Sequence, residues 1–375
     1  MTRRMLAAVC ILWLAGASAP GAQGVSVRPS FGTSVVFDDN LYQQPVGEGD
    51  VSVRFSPRLD AGYTSERLTL SSRYALDADR FARHPELTTA RGRQEASFDA
   101  GYHASRRLTL ATAAAFAESQ SPADLNDVTA LTPGRVRARR LTLSPSATYG
   151  VGPRATASLG YRVTSENLHG GVGLTTQSAS AALDHHVSAR HHLRVEYVDQ
   201  HFLFAGAGAR ASRTLTGEWT GEVIRGTVVT LRAGPRLTSG VPAPEIAVSA
   251  RHLLRAGSIV VSYLQTQTTL IGLAGLARAR GVTATADGGL RHGIRLRGGS
   301  GVLQARQSGL TSIVYRVSGS CVWSPARRLD IEAGYDGELR RGNLYTADAA
   351  QTVRRHVLTL SFLVARTPAP LRAGE

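Results

Sequence analysis

The sequence predicts an all-β fold: a single transmembrane antiparallel β-barrel of about eighteen strands, within a range of about sixteen to eighteen. Three observations predict it. Apolar and polar residues alternate with period two from about residue 24 to 365. Short connections alternate with longer ones. The chain opens with an export segment.

The N-terminus comes first. "MTRR" is a basic n-region, "MLAAVCILWLAGA" an apolar h-region and "ASAPGAQG" a small-residue cleavage stretch. Together they read as a secretory signal peptide, residues 1–23, too short for a transmembrane helix. The 375-residue chain has two cysteines. Cys10 leaves with the signal and Cys321 remains alone, so no intrachain disulfide forms. No later run approaches the apolar length of a membrane helix.

Every one of the 43 basic residues is arginine, and the formal charge is +15. Removing Arg3 and Arg4 leaves +13. Such a balance suggests nucleic acid. The export signal and the lack of any nucleic-acid motif exclude that partner.

The predicted barrel spans 24–365, with a short polar tail at 366–375. Its alternating runs lie near 25–37, 51–64, 67–78, 94–104, 107–118, 138–151, 154–166, 175–187 and 191–200. They continue near 213–221, 226–237, 245–254, 258–268, 282–291, 293–304, 311–323, 328–340 and 353–365. Connections after even-numbered runs are tight, as in "TSE", "SR", "GP" and "SAR". Several after odd-numbered runs are longer: 38–50, 79–93, 119–137, 201–212, 269–281 and 341–352. Short periplasmic turns and longer outer loops are the pattern of outer-membrane barrels. An even strand number keeps both termini on the periplasmic side. Loop 119–137 is long enough to fold inward, although the sequence does not single out the loop that does so.

Aromatic residues separate lipid from a packed protein core. Tyr63, Tyr102, Tyr149, Trp219 and Trp323 end runs that head into tight turns. Tyr74, Phe116, Tyr161, Tyr197, Tyr263 and Tyr335 follow later in the runs that leave those turns. All eleven fall on the apolar face. Counted from the turns, the two tiers stand eight to nine residues apart, roughly 20–23 Å of height in a tilted strand. That approaches the lipid-facing band between two aromatic girdles.

The opposite face carries Arg54, Arg58, Arg73, Arg162, Arg194, Arg232, Arg236, Arg251, Arg297, Arg316, Glu332 and Asp336. These are the candidate pore-lining residues, because a wet lumen tolerates charges that a dry core would reject unless paired. Arg54 with Arg58, Arg232 with Arg236 and Arg295 with Arg297 form same-face basic rungs that would attract anions. Asp330, Glu332, Asp336 and Glu338 crowd one run and oppose that preference.

Other chemistry is weakly signalled. "LDHHVSARHHLRVEY" (183–197) places four histidines in eight positions, with His186 facing His192 and Asp184 facing Arg194. Two histidines without a third ligand make no zinc site, so no metal is expected. There is no "GxSxG". The glycines of "HGGVG" and "DGGLRHG" precede no helix, which excludes a phosphate loop. No catalytic residue and no cofactor are expected, and the chain is not read as an enzyme.

The stretches "VVFDDNLYQQP" (35–45), "YALDADRFARHPELTTARGRQEASFDAGY" (74–102) and "GRVRARRLTLSPSATYGVGPRATASLGYR" (134–162) resemble a family of porin-like outer-membrane β-barrel proteins associated with exopolysaccharide production. The resemblance implies a Gram-negative outer membrane and no catalytic residues. The expected partners are outer-membrane lipid, the barrel-assembly machinery, and small solutes or an anionic polysaccharide. The expected role is passage of solutes or an exported polysaccharide. Two alternatives stay open: a plugged structural or adhesin-like barrel, and a barrel-embedded hydrolase.

Overall fold

The computed structural model describes residues 24–365, save 127, 130, 132, 133, 327 and 346–349. The signal peptide and the tail at 366–375 lie outside the described residues. Eighteen strands form one closed antiparallel sheet. The first nine are β1 (Val25–Asp38), β2 (Asp50–Thr64), β3 (Leu68–Phe81), β4 (Thr89–His103), β5 (Leu108–Ser119), β6 (Ala138–Gly152), β7 (Ala155–Leu168), β8 (Leu174–His186) and β9 (His191–Phe204). The rest are β10 (Gly208–Ile224), β11 (Thr227–Thr238), β12 (Val241–Leu254), β13 (Gly257–Thr269), β14 (Leu276–Gly289), β15 (Ile294–Gln307), β16 (Leu310–Ala326), β17 (Leu329–Gly342) and β18 (Gln351–Ala365). Each strand pairs with its sequence neighbours, and β1 closes the ring on β18 from Ser30↔Ala365 to Asp38↔Val357. Closure leaves no free edge, the condition for a sheet to cross hydrocarbon.

The alternation puts one set of side chains outside. Val195, Val261, Val317 and Leu358 are among many large apolar residues exposed on that face. A soluble protein would have to cover so wide a belt. The alternating partners on the inner face are arginines, carboxylates, serines and threonines.

Prolines sit where the ladder can spare an N–H. Pro57 and Pro145 take outward positions. The β2–β3 ladder skips between Phe55↔Ala78 and Arg58↔Ala75, and the β6–β7 ladder skips between Leu143↔Val163 and Ser146↔Gly160. A strand proline removes a donor, so the gap falls beside it. A larger gap lies at the outer end of β12. Its pairing with β13 stops at Ile246↔Gln265, leaving Val241–Glu245, with Pro242 and Pro244, unpaired on that side.

Two expectations change. The connections read as 79–93, 269–281 and 201–212 are only 82–88, 270–275 and 205–207, because the strands continue past the membrane band, most clearly at β9 and β10. There Phe202 and Phe204 point inward and are buried, so the outward apolar period lapses while the strand goes on. The aromatic tiers also stand closer than the chain count suggests. Tyr63 pairs with Leu70, so Tyr74 is four residues above it. Tyr335 is likewise four above Ile331, the partner of Trp323. Counting across a turn adds residues that the hairpin folds back. Eight-residue spacings survive between Trp323 and Tyr315 on β16, and between Leu108, the partner of Tyr149, and Phe116 on β5.

An arginine at an outward position near mid-height is expected to cost about 2–4 kcal/mol of folding stability. Val195→Arg and Val317→Arg should show it in urea titrations from lipid vesicles. The inward change Ser318→Arg should cost far less.

Candidate functional site: the lumen and its outer mouth

All twelve predicted pore-lining residues occupy inward positions of the sheet. The strand registers set Arg54 beside Asp79, Arg73 beside Asp60, Arg194 beside Asp184 and Arg316 beside Glu338. Cross-strand neighbours of opposite charge are close enough to pair. Arg54 Nε lies 2.7 Å from Asp79 Oδ1, Arg73 Nε lies 2.6 Å from Asp60 Oδ1, and Arg316 Nε lies 3.1 Å from Glu338 Oε2. Arg194 reaches both Asp184 (3.2 Å) and Glu196 (3.0 Å), and Arg232 shares Glu196 at 3.1 Å.

Arg236 is the most enclosed of the twelve. It donates to Glu245 Oε2 at 2.9 Å, and its side chain is 9% exposed. Its Nη1 also reaches the Gln267 carbonyl at 3.4 Å, across the gap between β12 and β13. The guanidinium therefore supplies a donor where Pro242 and Pro244 have none.

The proposed basic rungs are thus largely neutralised. Arg54, Arg232 and Arg236 each hold a carboxylate. Among the described residues, Arg58, Arg251, Arg295 and Arg297 make no ion pair, and Arg162 donates only to Ser144 Oγ at 3.0 Å. Arg297 shares a shallow groove on the β14–β18 wall with Asp287, Ser318, Ser320, Glu332 and Asp336. Fixed charge of both signs therefore faces the periplasmic half of the lumen.

The outer mouth is different, because loops cross it. An eighteen-stranded barrel is roughly 35 Å across, and a dozen extended residues reach about 40 Å. Loop 120–137 leaves β5 and carries Leu131 to the opposite wall. There Leu131 packs in a fully buried cluster with Leu270, Ala277, Ala305, Val314 and Leu344. A second cluster joins Leu125 of this loop and Ile271 of the β13–β14 loop to Ala138 and Leu168.

Polar contacts fasten the crossing. The Ile271 N–H donates to Asn126 Oδ1 at 3.2 Å, and the Tyr345 hydroxyl donates to the Ile271 carbonyl at 3.1 Å. Asn126 Nδ2 donates to the Leu131 carbonyl, and Arg140 donates to the Leu125 carbonyl. The Val172 N–H donates to the Gly272 carbonyl at 3.0 Å, tying the β7–β8 loop to the same point. Gly272 has φ +84°, and a Cβ there would collide with Leu168. The β1–β2 loop joins through Gln43, which donates to Ser121 Oγ at 3.4 Å and accepts from Arg340 at 3.1 Å.

Burial leaves its mark on two loop side chains. Desolvation lowers the proton affinity of Arg135, whose guanidinium lies 4.9 Å from the centre of the Phe81 ring. Burial also pushes the Tyr345 phenol up to about 12. The sequence reading named loop 119–137 but none of Asn126, Leu131, Ile271 or Tyr345. The apolar connection "TLIGLAGLA" was the available signal, since loops in water seldom concentrate leucine.

The histidine stretch lands on a periplasmic hairpin. The His186 and His192 rings are tilted against each other with centroids 4.9 Å apart, and His192 Nε2 lies 3.2 Å from Asp184 Oδ1. Among the described residues, no group of three such side chains is placed to hold a metal.

No family model and no curated protein matches this sequence. Solved structures do match. OccK3 (OpdO) of Pseudomonas aeruginosa aligns over 91% of this chain and 96% of its own at a TM-score of 0.50 and 11% identity. OccAB4 of Acinetobacter baumannii aligns over 92% and 99% at 0.50 and 7%. OccK11 (OpdR) of Pseudomonas aeruginosa aligns over 91% and 96% at 0.50 and 11%. The fold is that of an outer-membrane β-barrel. With its lipid-facing belt, that fold places the chain in a Gram-negative outer membrane. Identities this low establish the architecture alone.

The Tyr345 shift gives the crossing a pH dependence. An unfastened Tyr345 ionises near its ordinary value of 10, whereas the buried phenol resists to about 12. The fastened state is therefore fully favoured below pH 10 and loses that advantage as pH rises from 10 to 12. Proteolysis of loop 120–137 in the folded barrel should accelerate across that window. Tyr345→Phe should accelerate it at neutral pH and flatten the alkaline rise.

Proposed function

We propose that the protein is an outer-membrane diffusion channel for small polar or charged solutes, throttled at its outer mouth by crossing loops. The observation that carries this reading is the contrast along the lumen. The wall below the mouth is lined by charged and polar side chains, whereas the mouth holds a buried apolar knot around Leu131, Leu270 and Ile271. A wall of opposed charges orients small dipolar or ionic solutes without trapping them, since most of its arginines are already paired.

A modest anion preference belongs to this proposal. It rests on Arg58, Arg251, Arg295 and Arg297, which keep their charge unpaired. Asp287, Glu332 and Asp336 lie near the last of these and limit the preference. Passage of an exported polysaccharide, the role implied by the sequence resemblance, needs a continuous wide bore. The crossing of loop 120–137 would have to withdraw to provide one, so small solutes are favoured.

A sealed structural barrel is the second reading, and the completeness of the same knot favours it. A hydrolase has less support. Among the described residues no histidine ring hydrogen-bonds a serine hydroxyl, the contact that activates a serine nucleophile.

Planar-bilayer recording separates these readings. The channel account expects discrete conductance steps from the wild type and larger steps after Asn126→Ala combined with Tyr345→Phe. It also expects a salt-gradient reversal potential on the anion side that moves toward zero in Arg58→Gln with Arg297→Gln. A wild type and a loop variant that both fail to conduct would establish the sealed barrel. Clear cation preference would remove the anion component.

A further inference from the structure

The outer wall carries an arginine cluster that the channel role does not use. Registers place Tyr263, Val282, Val302, Tyr315, Leu339 and Arg354 in one outward row across β13–β18. The next outward row holds Gln265, Arg280, Gln304, Ile313, Arg341 and Thr352. Above it Arg278 directly faces Arg306, which faces Thr311. Five arginines, Arg278, Arg280, Arg306, Arg341 and Arg354, thus meet at and just above two tyrosines, and all five are exposed.

Among the described residues, no carboxylate balances them. Asp287, Asp330, Glu332, Asp336 and Glu338 all lie on inward positions of the same strands. Elsewhere on the barrel exterior, some arginines above the girdle are matched. Arg137 lies 3.7 Å from Glu118, and Arg213 lies 3.7 Å from Asp199. Among the described residues, the side-chain acceptors of these five arginines are neutral: Arg280 donates to Gln304 Oε1 at 2.5 Å and Arg306 to Thr311 Oγ1 at 3.3 Å. Like charges directly opposed across a ladder destabilise it. An external anion would reverse that sign.

We propose that this wall binds the phosphate groups of an anionic glycolipid in the outer leaflet. Interfacial tyrosines mark headgroup depth. The arginines begin at that depth and continue away from the hydrocarbon, where lipid phosphates lie. Guanidinium forks match phosphate oxygens bidentately. Gln265, Gln304 and Thr352 add neutral hydrogen-bonding groups between them. A soluble anion would have no reason to select the tyrosine level. The assignment rests on the orientation that puts the longer loops outside.

The test uses the folded full-length barrel in detergent. Lipopolysaccharide with phosphorylated lipid A is added, and retained lipid is read by native mass spectrometry. The wild type should retain it. Affinity should fall about fivefold for each arginine removed in the series Arg306→Gln, then Arg278→Gln, then Arg341→Gln. Arg137→Gln, on the matched part of the exterior, should change nothing. Enzymatically dephosphorylated lipid A should bind weakly to every form. Undiminished binding by the triple variant would overturn the proposal. So would equal retention of dephosphorylated lipid A, or full competition by phosphatidylglycerol or inorganic phosphate. If the triple variant does not fold, the single Arg306→Gln carries the comparison. Conductance of the same samples reports on the channel reading independently, since these side chains point away from the lumen.

Discussion

A peptide group in hydrocarbon has no water to bond, and every other feature of this protein follows from that. The answer here is a ladder of eighteen strands closed on itself from β18 to β1. Closure fixes the two environments. One face of each strand must suit lipid, the other must suit a wet interior, and the period of two delivers both from one ribbon. Where proline interrupts the ladder, the structure compensates locally. Arg236 bonding to the Gln267 carbonyl beside Pro242 and Pro244 is the clearest case.

The interior then divides by height. Through much of its length the wall holds charge, and cross-strand registers pair most arginines with acids. At the outer end the inward positions turn apolar: Leu168, Leu174, Phe202, Phe204, Ala277 and Val314 are all buried. Those positions exist to receive loops. Leu131, Leu270 and Ile271 fill them, and Asn126 with Tyr345 supplies the polar fastening that a crossing backbone requires. Crossing loops and wall are therefore one design, since the strands extend beyond the apolar belt to form the seat on which the loops rest.

Much of this was legible in the sequence, for a physical reason. Lipid contact imposes the same apolar requirement on every second residue of every strand, so the repeat is strong enough to read without any partner sequence. The strand number, the hairpin order and the inward placement of Arg54, Arg194 and Arg316 all follow from it. The outer ends were not legible. Beyond the girdle the outward face becomes polar, as at Arg278 and Arg280, while the inward face becomes apolar, as at Ala277 and Ala279. The period persists with its faces exchanged, and a reading tuned to outward apolar residues loses the strand. Ion pairing was also hidden. Arg232 and Arg236 looked like a basic rung until the registers brought Glu196 and Glu245 beside them.

The most direct measurement is site-by-site spin labelling along β16, from Tyr315 to Trp323, in lipid vesicles with Cys321 replaced elsewhere in the series. Collision with oxygen, which concentrates in hydrocarbon, is compared with collision with a polar nickel chelate. The account predicts strict alternation, with oxygen dominant at odd positions such as 317 and nickel at even positions such as 318 and 320. Uniform nickel access, or low access to both reagents at the odd positions, would contradict it.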